Sequence, residues 1–175
     1  MALSKITNSG VAASGLPAGS VLQTVQAVKS DTQSTTSITR VDVSGLSVNI
    51  TPTSASSKIL VMLDVAVGTA ESTGSLGAVH LMRDSTDIYI GDAASNRART
   101  TAQIDNSSGD MSYNITRNNA VYLDSPATTS QITYKVQFKT YNGANAVYIN
   151  QSGNDSDQTF INRLASSITV MEIAQ

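Results

Sequence analysis

The sequence predicts an all-β protein: an antiparallel two-sheet sandwich of jelly-roll type, preceded by an extended N-terminal arm. Three observations carry that prediction. Stretches with a period of two recur, most cleanly where Ile132, Tyr134, Val136 and Phe138 alternate with Thr133, Lys135, Gln137 and Lys139. Clusters of Ser, Thr, Asn, Gly and Asp punctuate the chain between such stretches, at the spacing of turns. About a quarter of the 175 residues are Ser or Thr, and only 14% are charged. Disorder usually pairs poor hydrophobicity with strong charge, so this composition fits pleated sheets with a neutral, hydroxyl-rich face instead.

Residues 1–20 (MALSKITNSGVAASGLPAGS) have no sustained period, and their small residues, glycines and Pro17 mark a flexible arm. Extended, it would reach on the order of 65 Å. Leu3, Ile6, Val11 and Leu16 are apolar pegs along it and the expected anchoring residues. Residues 21–175 form the single domain that a chain of this length supports.

Val21–Val28 is the first strand. Arg40–Thr51 is the second; its apolar phase slips at Ser44-Gly45, as at a β-bulge, and Pro52, which cannot donate to a ladder, ends it. Lys58–Val67 is nearly continuous in apolar residues and is expected to lie centrally with both faces covered. Ala78–Arg83 and Asp87–Ile90 form a hairpin around Asp84-Ser85-Thr86, and Ser112–Thr116 and Ala120–Leu123 are shorter strands. The stretch Ala93–Met111 is polar and patternless, an excursion loop of the kind that carries binding contacts. Ile132–Thr140 is followed by Ala146–Asn150, expected to pair back across the Tyr141–Asn145 turn. Ser167–Ile173 closes the chain. Eight to ten strands without an amphipathic helix suit a jelly roll.

Composition narrows the function. The net charge is −2 and the 11 Lys and Arg are scattered, so counterion release has little to work with and nucleic acid is not an expected partner. The chain has no cysteine and one histidine, which removes disulfides, thiol chemistry and any multi-histidine metal centre within one chain. No stretch reads as a signal peptide or a membrane span, so membrane insertion is not expected.

The residues offer little catalytic machinery, and no catalytic, cofactor-binding or metal-binding residue is assigned. His80 is the only histidine base, but it sits inside a strand and no Gly-x-Ser-x-Gly elbow exposes a serine. It reads as a hydrogen-bonded packing residue. Most carboxylates lie in turns, where they cap backbone; Asp105 and Asp110 are the pair that a polysaccharide-degrading enzyme would use. Glu172 falls in the last strand and is expected to face solvent or an interface. Asp105–Asp110 and Asn154–Asp157 are oxygen-rich but lack the twelve-residue calcium-loop pattern. Tyr89, Tyr122, Tyr134 and Tyr148 fall in strand patterns and read as core or interface. Tyr113 and Tyr141 flank turns and are the candidates for ligand contact.

The stretches VLQTVQAVKSDTQSTTS, LSVNITPTSASSKILVMLDV, YLDSPATTSQITYKVQF and SSITVMEIAQ together resemble short structural proteins of tailed-phage virions, common in marine and freshwater phages. The likeness spans most of Val21–Gln175, and the N-terminal twenty residues are similar to fibre N-termini that attach to the particle. The resemblance implies a trimeric jelly roll akin to the tumour-necrosis-factor-like heads of fibres, assembled in the host cytoplasm and displayed on the virion. It implies a tail-fibre, head-fibre or capsid-decoration subunit, with other virion proteins and its own copies as partners; a host-surface glycan is the partner that a lectin-like reading adds, through loops such as Ala93–Met111. No catalytic residue carries over. The residues alone also admit a lectin-like receptor-recognition module and, more remotely, a polysaccharide-degrading enzyme. Lys58–Val67 and Ser167–Ile173 hold more apolar residues than one small core needs, a surplus that a symmetric interface would absorb.

Overall fold

A computed structural model describes residues 16–70, 75–106 and 113–175. Eleven strands run through them: β1 (Val21–Lys29), β2 (Gln33–Thr35), β3 (Val41–Ile50), β4 (Lys58–Thr69), β5 (Ser75–Arg83), β6 (Thr86–Ile88), β7 (Ala102–Asn106), β8 (Ile115–Asp124), β9 (Ile132–Thr140), β10 (Val147–Ile149) and β11 (Ser166–Ile173). They form two antiparallel sheets packed face to face. In the first, β1 pairs β11, β11 pairs β4, and β4 pairs β8. Here β10 continues the β11 edge of β4, and β2 lies outside β10. In the second, β3 pairs β9 and β9 pairs β5, whose far edge is shared by β6 and β7. The predicted all-β, two-sheet sandwich is the fold observed.

Alternation dictates the core. On β9 the apolar set Ile132, Tyr134, Val136 and Phe138 is buried while Thr133, Lys135, Gln137 and Lys139 are half-buried on the other side. Ile59, Val61, Leu63, Val65 and Val67 of β4 face them from the first sheet with Ile168 and Val170 of β11, and Leu46 and Val48 of β3 lie beside them in the second. Each such side chain contributes about 1.5–3 kcal/mol by leaving water. The expected bulge lies at Gly45, whose φ of 83° is the left-handed conformation the extra residue needs, and the β3–β9 register shifts between Asp42 and Ser47.

Several expectations change. Ser112–Thr116 and Ala120–Leu123 are not two strands: Ile115–Asp124 is one continuous β8, paired along β4 from Ile59 to Gly68. The Ala93–Met111 excursion contains β7, which pairs Ser75–Val79. The segment after β9 does not fold back on it. Instead β10 crosses to the first sheet, because β11 pairs with β4 only from Lys58 to Asp64 and leaves the edge at Val67–Thr69 for Val147–Ile149. Asn150 fixes that crossing: its φ is 64°, Nδ2 donates to the carbonyls of Lys29 and Asp31, and Oδ1 accepts from Ser166 Oγ. The chain then passes directly over Gly68, where a Cβ would collide with the Gln151 carbonyl. At the other end, Gly19 N–H donates to the Ala174 carbonyl and Ala174 N–H to that of Ser20, so the first sheet's bonding begins before Val21.

Candidate functional site

The register places side chains on the outside of each sheet in rows. Across the first sheet Thr24, Met171, Leu60 and Leu123 form one row, and Gln26, Thr169, Met62 and Val121 the next. Val21 and Ile173 flank them on one side, Val28 on the other. Val121 is 62% exposed and Leu123 45%, Val21 and Val28 are exposed, and Leu60, Met62, Met171 and Ile173 are half-buried. The strand expected to be covered on both faces is therefore sealed on one. Its other face is the middle of an apolar patch, bordered by an Arg117–Asp64 ion pair at 2.6 Å.

Glu172 corrects its expectation. It is fully buried on the inner side of β11, against neither solvent nor this outer face. Gln23 Nε2 donates to its Oε2 at 2.6 Å, and Thr53 N–H and Oγ1 both donate to its Oε1 at 2.7 Å. Burial pushes its carboxyl up, but the bonds from Gln23, Thr53 and Ser57 together outweigh it, so the group is held below the usual carboxylate range.

A second feature opens between the edge strands β8 and β6, a groove of about 580 Å³. Arg83 ends β5 facing inward and reaches across the sandwich, Nη1 lying 2.8 Å from both oxygens of Asp124 at the end of β8. Asp124 also accepts from Tyr134 Oη at 2.7 Å. Burial, and then that bond, push the Tyr134 phenol above its ordinary range. Asp87 accepts both bonds from Arg40 Nη1 and meets His80 Nδ1 at 3.1 Å. A carboxylate only accepts, so Nδ1 carries the proton. Burial and the neighbouring Arg40 charge hold the His80 imidazole below its ordinary value, as suits a packing histidine. Beyond β6, Tyr89 has a φ of 54° and is 45% exposed, its ring 5.6 Å from that of Tyr122. A bulky residue in this conformation costs about 1–3 kcal/mol.

The residues expected from sequence lie elsewhere. Leu16 is exposed, while Leu3, Ile6 and Val11 lie outside the described residues. Tyr113 is exposed and packs edge-on against Phe160 at 5.9 Å. Tyr141 is exposed, with Lys139 Nζ 4.6 Å from its ring centre, and borders a shallow concavity beside Leu76 and Arg97. The two tyrosines line no common concavity. Asp110 lies outside the described residues. Asp155 is paired with Arg163, and no group of three or more His, Asp or Glu among the described residues is placed to hold a metal. No helix among them is long and apolar enough to cross a membrane. The groove residues were missed because Tyr89 and Tyr122 fit strand patterns, and no local signal marks Tyr89 as lying just past the end of the short β6. No family model matches the sequence, and no curated protein matches it.

Proposed function

We propose that this chain is a non-enzymatic structural subunit of a tailed-phage particle, a trimeric fibre or capsid-decoration subunit held to the virion by its arm, residues 1–20. The apolar outer face of the first sheet carries the reading. An aliphatic patch across a sheet, bordered by polar and charged residues, has the anatomy of a protein interface. A second copy of the chain is the occupant that needs no further component: the patch is its own apolar complement and has Asp64 and Arg117 at its border to fix register. The number three comes from the resemblance to phage fibre heads. The jelly-roll reading is supported by the pairing order, β1-β11-β4-β8 against β3-β9-β5-β7, in which distant strands pair and consecutive ones, β5 and β7 apart, alternate between sheets.

Light scattering on the purified chain tests the assembly, and a mass three times that of the 18.3 kDa chain is expected. A species that stays monomeric at high concentration would end the reading. Deleting residues 1–16 keeps the Gly19 bond to Ala174. It should leave the oligomer intact but abolish binding to particles that lack the subunit, seen by electron microscopy.

A further inference from the structure

We propose that the groove between β6 and β8 is a binding site for a neutral saccharide. The proposal stands apart from the subunit reading and holds whether or not the chain assembles.

The walls select the ligand class. Arg83 lines the groove and is neutralised by Asp124, and Asp87 on its wall is neutralised by Arg40. These paired walls recognise neither an anion nor a cation; the exposed Arg99, whose Nε donates to the Gly91 carbonyl, stands at the rim. The remaining wall is amphipathic: Thr86, Thr100 and Thr101 supply hydroxyls, and Tyr89 and Tyr122 supply rings. The side-chain hydrogen bonds of Arg83 run through Nη1, which leaves Nη2 and Nε as donors. A neutral ring bearing both C–H faces and hydroxyls, that is, a pyranose, uses both kinds of wall. The volume of about 580 Å³ falls within the range of small-molecule sites.

Strain points to the same place. Asp84 and Asn150 also have positive φ, which Asp and Asn tolerate, and so do the small Ser95 and Ala127; Tyr89 is the one bulky side chain among the described residues held this way. The conformation at Tyr89 places an aromatic ring beside Tyr122 with almost half of its surface in the open. Glycine would satisfy the same backbone without cost. A strained residue that holds an exposed aromatic at the mouth of a concavity is an arrangement for contact rather than for packing.

Saturation-transfer and chemical-shift NMR with methyl α- and β-pyranosides of glucose, galactose, mannose and N-acetylglucosamine tests the site. The expected result is saturable binding of at least one, with a dissociation constant on the order of millimolar, and shifts in two tyrosine ring systems. Tyr89→Gly should weaken that binding by about tenfold or more without lowering the thermal midpoint. Gly91 borders the groove and a Cβ there meets no atom within 4 Å. Gly91→Leu therefore narrows the mouth without touching the fold and should weaken binding similarly; it carries the test if Tyr89→Gly misfolds. No saturable binding by any of these pyranosides would overturn the proposal, and so would binding that a folded variant leaves unchanged.

Discussion

Met62 and Lys135 occupy equivalent places, each near the middle of a central strand with its side chain turned away from the core, and their surroundings are opposites. Around Lys135 the outer face of the second sheet is a lattice of matched polar groups. Lys135 Nζ and Gln137 Nε2 both donate to Asp42, and Thr133 Oγ1 donates to Asn49. Around Met62 lie Leu60, Val121, Leu123 and Met171, with only the Gln26–Thr169 bond among them. A sheet face that meets water is furnished as the second one is. On the proposed function the two faces have opposite tasks: one is finished against water, and the other is the face a second copy would cover.

The strongest way to break this comparison is to make the first face resemble the second. Val121→Lys with Leu123→Lys places two charges on the β8 side of the patch, at its most exposed apolar residues. We expect the assembly to dissociate with an association constant lowered by at least about a hundredfold, read by sedimentation. Both side chains are exposed in the single chain, so its own stability should stay within about 0.5 kcal/mol. The matching control, Thr133→Lys on the second sheet, should leave the assembly unchanged. Equal effects on the two faces would erase the distinction.

How much of this was legible in sequence depends on the range of the interaction. The strict alternation of Ile132–Thr140 yields β9 residue for residue, because period-two patterning is local. The slip at Ser44-Gly45 marks the bulge for the same reason. The apolar surplus of Lys58–Val67 was also visible, but which of its residues lie inward could be known only from its partners. Pairings between distant residues were hidden. Arg83 and Asp124 stand 41 positions apart, and Glu172 and Thr53 stand 119 apart; neither Asp124 in a turn-like Leu-Asp-Ser-Pro nor Glu172 in a closing strand advertises a buried partner. At three residues, β10 is too short to declare which sheet it joins.

Glu172 sharpens the comparison from beneath the apolar face. It lies on the opposite side of β11 from Met171 and Ile173, and it ties β1 and the β3–β4 turn to the closing strand. Its folded value is depressed. The stability it contributes is therefore complete above the unfolded value of 4.5 and is lost as the pH falls below that toward the folded value. Glu172→Gln should cost about 1–3 kcal/mol at neutral pH, since a charged acceptor is replaced while its donors stay buried. It should also flatten the acid-side loss of stability, measured by urea unfolding at pH 7 and at about pH 3.5. A wild type and variant that lose stability in parallel on acidification would contradict this role.

Asp42 is the corresponding carboxylate on the finished face, and it should matter least. The Gln137 bond, opposed by some burial and helped by Lys135, holds it below the usual range, so the sign is the same as for Glu172: stability is lost as acid protonates it. The setting differs, because the Asp42 side chain is 57% exposed and water can replace each partner it loses. Asp42→Asn should therefore change stability by under about 1 kcal/mol, and added salt should shrink the effect further, whereas the effect at Glu172 should persist. The two substitutions together measure what separates the faces. A polar network laid on a sheet exposed to water contributes little beyond keeping that sheet wet. The same chemistry buried under an apolar face holds three segments of the chain in register.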